Sequence, residues 1–132
     1  MADGIARWYA DQTGRAVLCR SASTLGLQDY PADPNAVAVC AELGIDLSGH
    51  RSAPLTDELI NWADYVLVME FDHAQHIREH HTQVRERLLM LGNFGGVSEI
   101  ADPIGGWRFR FRRSRDEIRR CVEGFIDRLP SK

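Results

Sequence analysis

Apolar side chains recur along this chain in two spacings, helical and strand-like, and the order in which they alternate outlines the elements. Residues 1–13 set Ile5, Trp8 and Tyr9 on one side of a short amphipathic helix that ends before Gly14. Ala16-Val17-Leu18-Cys19 then reads as a short strand, with Ser21-Ala22-Ser23-Thr24 and Gly26 as the loop leaving it. The turn Tyr30-Pro31-Ala32-Asp33-Pro34 leads into a helix from about Asn35 to Leu43, stopped by Gly44, with Ala36, Val37, Val39, Cys40 and Leu43 on its apolar side. A polar loop runs from Ile45 to Leu55, after which Thr56 can cap a short helix. Tyr65-Val66-Leu67-Val68-Met69 is a nearly continuous apolar run of strand length, which suits a parallel strand buried on both faces. Phe71 to about His80 predicts helix, and Leu88-Leu89-Met90-Leu91 a second buried strand. The closing helix, Arg113 to Leu129, carries Ile118, Cys121, Val122, Phe125, Ile126 and Leu129 at helical spacing. Strands alternating with helices imply an α/β layered domain with a largely parallel sheet flanked by helices, whose ligands bind at the carboxyl ends of the strands.

Composition narrows this picture only a little. With 132 residues, 44% of them hydrophobic and 27% charged, the chain is expected to form one soluble domain over residues 1–132. A net charge of -3 argues against general nucleic-acid binding. No apolar run reaches membrane-spanning length and no signal-peptide core is visible, so a cytoplasmic protein is expected. Cys19, Cys40 and Cys121 are odd in number and lack CxxC spacing, which predicts small buried hydrophobes rather than disulfides or a zinc site.

Three stretches could carry chemistry. Glu99-Ile100-Ala101-Asp102-Pro103-Ile104-Gly105-Gly106 sets a carboxylate on a Pro/Gly loop: Pro103 disfavours helical backbone at Asp102, and the glycines permit a sharp reversal. The carboxylate could act as a general acid, or the pair could simply initiate a turn. His73, His76 and His80 share a helical face that could meet a metal; the plainer reading is a solvated face beside Arg78 and Glu79. Trp107 to Arg115 interleaves Trp107, Phe109 and Phe111 with Arg108, Arg110, Arg112, Arg113 and Arg115. It suits stacking on bases or recognition of phosphorylated partners, or else a solvated helix entry with the aromatic residues packed inward.

Met1-Ala2-Asp3, Ser21-Ala22-Ser23-Thr24, Gly44-Ile45-Asp46-Leu47-Ser48-Gly49-His50-Arg51, Ala63 to Met69 and Asp102-Pro103-Ile104-Gly105-Gly106, read together in register, resemble the low-molecular-weight protein-tyrosine phosphatases. The Asp-Pro-x-Gly-Gly form, with Ser52-Ala53-Pro54-Leu55-Thr56 after the His-Arg pair, is most similar to the bacterial branch that includes protein-arginine phosphatases. The resemblance implies a four-stranded parallel sheet between helices and hydrolysis of phosphotyrosine, phosphoarginine or aryl phosphates through a cysteinyl-phosphate. It also implies that Asp102 protonates the leaving group and later activates water. Pro103 and Ile104 would then line the mouth of the site and His50 would support the phosphate loop. No metal or other cofactor is expected. Asp46-Leu47-Ser48 reads as a turn rather than a site.

One departure bears on activity. In the family the first helix follows a strand and a Cys-x5-Arg loop ending in Met-Ala, so those parts are expected to lie upstream of Met1. None of the three cysteines replaces them, because the sixth residue after Cys19 is Leu25, after Cys40 is Asp46 and after Cys121 is Asp127. Residues 1–132 alone are therefore expected to be inactive, either as part of an enzyme read from an internal methionine or as a non-catalytic binding or assembly module. The missing strand is central in the family's sheet, so Ala16–Cys19 and Tyr65–Met69 are expected to pair with each other directly or to pair with another copy through the open edges. The expected partner is a phosphorylated protein or a small aryl phosphate once the site is completed upstream, and neither a membrane nor nucleic acid is expected.

Overall fold

The computed structural model describes residues 1–130. Helix α1 (Ala2–Thr13) ends at Gly14, whose φ of 68° returns the chain through a left-handed turn that a side chain would strain. Helix α2 (Pro34–Ala41) opens on Asp33, whose carboxylate accepts from the Asn35 amide at 2.8 Å, with Pro34 at the first helical position. In α3 (Asp57–Trp62) the Thr56 hydroxyl oxygen accepts from the Leu59 amide at 3.2 Å.

Strands β1 (Val66–Val68) and β2 (Leu88–Met90) pair in parallel, Val66 opposite Leu88, Leu67 opposite Leu89 and Val68 opposite Met90. Their crossover is α4 (Phe71–His80) and a 3-10 segment, Thr82–Arg87. Successive strand residues point to opposite faces, and both faces are covered. Val68, Leu88 and Met90 join Ile60 of α3 with Ala74 and Ile77 of α4. Leu67 and Met69 pack instead on a core built from Ile5, Val39, Leu91, Ile100, Phe111 and Ile118. The result is an α/β domain with a parallel sheet between helical layers, α1, α2 and α5 (Arg108–Asp127) on one side and α3 and α4 on the other.

Two expectations are corrected. Ala16–Cys19 is not a strand: among the described residues the sheet holds only β1 and β2. Arg7 of α1 donates to the Cys19 carbonyl at 2.7 Å, Val17–Arg20 and Trp62 line an open cleft of about 300 Å³, and among the described residues, 16–19 make no ladder with 65–69. The chain makes its next backbone pairings farther on, where Ser23 bridges Pro54 and Pro31 bridges Arg51. The closing helix begins at Arg108, well before Arg113, because Phe111 lies one heptad ahead of Ile118 and is fully buried. Burying a phenylalanine is worth about 1.5–3 kcal/mol, enough to draw the arginine-rich stretch into the helix. Trp107 and Phe109 do not follow Phe111 inward; they are 78% and 55% exposed.

Candidate active site

The acid loop is tied down at its start and free at its tip. Glu99 accepts from the Phe71 amide at 2.9 Å, placing a carboxylate at the positive end of α4, and the Ile100 amide donates to the Met69 carbonyl at 2.9 Å. Ile100 is fully buried, so the backbone leaving β1 and the backbone entering the loop move as one. Beyond it the chain surfaces. Asp102 is exposed, and its Oδ1 accepts from the Ile104 amide at 3.0 Å, the Asx-turn geometry that an Asp-Pro pair favours. The Gly106 amide donates to the Pro103 carbonyl at 2.8 Å, and Gly105 turns through φ 82°. Pro103 is half-buried, whereas Ile104 is 72% exposed beside the carboxylate.

This loop stands at the N-terminal end of α1. Burial lowers the pKa of the Met1 amine there, and the nearby charges of Cys40, Asp3 and Asp102 act in the opposite direction. The first turn of α1 has no side-chain cap. On another side of the same turn lies an open cleft of about 490 Å³ lined in part by Asp3, Gly4, Arg7, Arg20, His50 and Arg51. His50 reaches it because Ile45 and Leu47 are buried against α1, where Gly4 leaves them room: a methyl group at Gly4 would stand 2.5 Å from Leu47 Cδ2. Asp46 and Ser48 form a turn, Oδ1 of Asp46 accepting from the Ser48 amide at 2.8 Å and from its hydroxyl at 2.6 Å. The structure thus gathers Asp102, Pro103 and Ile104 in one loop. His50 is in a separate cleft flanking the same helix turn.

His76 and His80 stack with ring centroids 4.2 Å apart, and no group of metal-capable side chains comes together among the described residues. Burial pushes the thiols of Cys19, Cys40 and Cys121 above their ordinary pKa, which keeps them protonated at neutral pH and poor as nucleophiles. Cys40 and Cys121 are buried as expected, and Cys19 is only half-buried.

Sequence reasoning missed the partners of the cations around this region. Arg7 is held by Asp3 at 2.8 Å, an i,i+4 pair legible in principle from spacing. Arg20 lies over the Trp62 ring at 5.3 Å, a contact between distant segments with no local signal. Arg112 and Arg115 both bind Glu42 at the end of α2, each with a contact of 2.6 Å, and Arg115 also donates to the Val39 carbonyl at 2.9 Å. Those arginines lock α5 to α2.

An exposed carboxylate on a loop beside an uncapped helix N-terminus, in an α/β domain with a parallel sheet, suits proton transfer to a group leaving from a bound anion. The family model for low-molecular-weight phosphotyrosine protein phosphatase matches residues 1–132, and the chain belongs to that family. It is 31% identical over 131 residues to the protein-arginine-phosphatase of Bacillus subtilis, covering 98% of this chain and 87% of that protein. It is 37% identical over 109 residues to the probable low-molecular-weight protein-tyrosine-phosphatase EpsP of Ralstonia nicotianae, covering 83% of this chain and 74% of that protein. Among solved structures, a mutant of YwlE from Bacillus subtilis superposes with a TM-score of 0.91 at 31% identity, covering 97% of this chain and 87% of that one. Among the described residues no helix is long and apolar enough to cross a membrane.

Proposed function

We propose that this domain serves hydrolysis of phosphate monoesters or phosphoarginine on protein side chains, with Asp102 as general acid and then general base. Pro103 and Ile104 form the rim that meets the phosphorylated side chain, and His50 supports the phosphate-binding loop from its cleft. The observation that carries the reading is the Asp102 loop: an exposed carboxylate on a Pro/Gly turn, oriented by the Ile104 amide. A phenolate leaving group has a conjugate acid of pKa near 10, so a proton delivered in the transition state accelerates its departure, typically by about 10²–10⁴-fold.

The thiolate and arginine of this mechanism come from a Cys-x5-Arg segment joined ahead of Met1, since none of Cys19, Cys40 and Cys121 has an arginine six positions on. Residues 1–132 assayed alone are inactive, and joining such a strand and loop yields turnover. In that completed chain Asp102→Asn slows hydrolysis of an aryl phosphate by at least about 10²-fold while a highly activated leaving group suffers much less. Equal loss for both leaving groups would remove Asp102 from the acid role. A second reading, a non-catalytic binding module, predicts no turnover even when the chain is completed.

A further inference from the structure

The arginine and aromatic residues at the start of α5 are not used by the chemistry above, and the structure divides them by face. Arg112 and Arg115 are consumed by Glu42, and Phe111 is in the core. Arg110 and Arg113, three apart, share the opposite, solvent face with Phe109, and among the described residues neither has a carboxylate partner. Arg110 also touches the acid loop: the Cα of Gly106 lies so close that a methyl group there would stand 2.7 Å from Arg110 Cδ and 2.8 Å from the Pro103 carbonyl. The guanidinium is thus carried on a stem packed against Gly106, at the end of the loop that holds Asp102. Ile104 and Trp107, 72% and 78% exposed, lie just before that stem in sequence and add exposed apolar surface.

Local stability does not explain this arrangement. The first turn of α5 has no acidic residue and no capping side chain, and its arginines face the positive end of the helix dipole. A sequence that sets like charges against a dipole, and leaves a tryptophan in water, is in local conflict unless a partner resolves it. The complement is an acidic chain segment with an apolar side chain. Nucleic acid fits less well, since the chain as a whole carries -3 and the cations form a spot beside Asp102 rather than a track.

We infer that Ile104, Trp107, Arg110 and Arg113 dock the substrate polypeptide, favouring phosphorylated sites flanked by Asp or Glu with an apolar neighbour. This rests on the reading of Asp102 as the catalytic acid, because the dock selects substrates only if the phosphorylated residue is presented to that loop.

The test is fluorescence anisotropy on residues 1–132, which needs no turnover. Labelled phosphotyrosine peptides are compared that differ only in carrying Glu or Gln at the flanking positions. The acidic peptide binds the wild-type chain at least about fivefold more tightly, as expected for two rim charge contacts, and raising salt removes the difference. Arg110→Gln with Arg113→Gln, which keeps both stems, abolishes the preference, whereas Arg78→Gln on α4 leaves it intact. Equal binding of the two peptides by the wild type overturns the inference, as does a preference that survives the double substitution. Stronger binding of a single-stranded oligonucleotide than of the acidic peptide also overturns it. Because the anisotropy readout involves no turnover, a failure of Asp102 in the turnover assay would be distinguishable from a failure of the dock.

Discussion

Replacing Gly124 with alanine tests the packing that carries the acid loop. Gly124 lies inside α5, where alanine is favoured over glycine by about 0.5–1 kcal/mol on helix propensity alone. Its Cα, however, faces the backbone of the turn after β2. A methyl group there would fall well inside contact distance of the Phe94 carbonyl oxygen and 3.2 Å from its carbonyl carbon. Backbone oxygen cannot rotate away. Relief requires lifting the Leu91–Phe94 turn off α5, although Leu91 is buried and the Gly95 and Val97 amides both donate to the Gly92 carbonyl at 3.0 Å. Overpacking of this kind costs about 1–3 kcal/mol, so after the propensity gain the net effect of Gly124→Ala centres on a destabilisation of about 1 kcal/mol, or a fall in Tm of about 2–6 °C for a domain of this size. Urea and thermal unfolding followed by circular dichroism should place Gly124→Ala clearly below the wild type. Faster hydrogen exchange at Gly95 and Val97 should accompany the loss. A Gly124→Ala chain as stable as the wild type or more so would refute the close approach, and with it the account of how the turn preceding the acid loop is held.

Arg85 sits at φ 49°, ψ -132°, a backbone region disfavoured for any residue with a side chain, so Arg85→Gly should stabilise the chain by about 1 kcal/mol in urea titration, with destabilisation telling against the strain. Glu42 is held down to a pKa of about 2 by hydrogen bonds from Arg112 and then Arg115. Its folded pKa lies below its unfolded value, so its contribution to stability is present above about pH 4.5 and is lost as pH falls toward 2. Glu42→Gln should therefore flatten the acid limb of the stability profile. An NMR titration of Glu42 with a midpoint in the ordinary glutamate range would contradict the clamp.

The alternation of apolar runs with amphipathic stretches was enough to read the α/β class, the boundaries of α4 and both strands of the sheet. These elements bury residues whose spacing matches their own period: Val66 to Val68 on both faces, Ala74 and Ile77 on one face of a helix. The Thr56 cap and the left-handed stop at Gly14 were equally local, each needing only the residues on either side. The turn chemistry of Asp102-Pro103-Ile104-Gly105-Gly106 belongs to the same category, and the hydrogen bond from the Ile104 amide follows from the residue types alone.

What depended on distant segments was not legible. Ala16–Cys19 has strand composition but no strand beside it, and β-propensity without a ladder partner leaves an extended segment whose Cys19 carbonyl is held by Arg7. The Arg108–Arg115 stretch looked uniform by composition. Only the packing of α5 against α2 decided that Arg112 and Arg115 bind Glu42 while Arg110 packs against Gly106 at the end of the acid loop. The position of Asp102 at the start of α1 is likewise a product of the fold, since some hundred residues of chain lie between them and no local interaction can encode their meeting. The sequence by itself determined the elements, their caps and the conformation of the acid loop, because those rest on interactions a few residues apart. Tertiary structure alone decided which charges are paired and which remain free beside Asp102, because long side chains take their partners from whatever surface packing brings within reach.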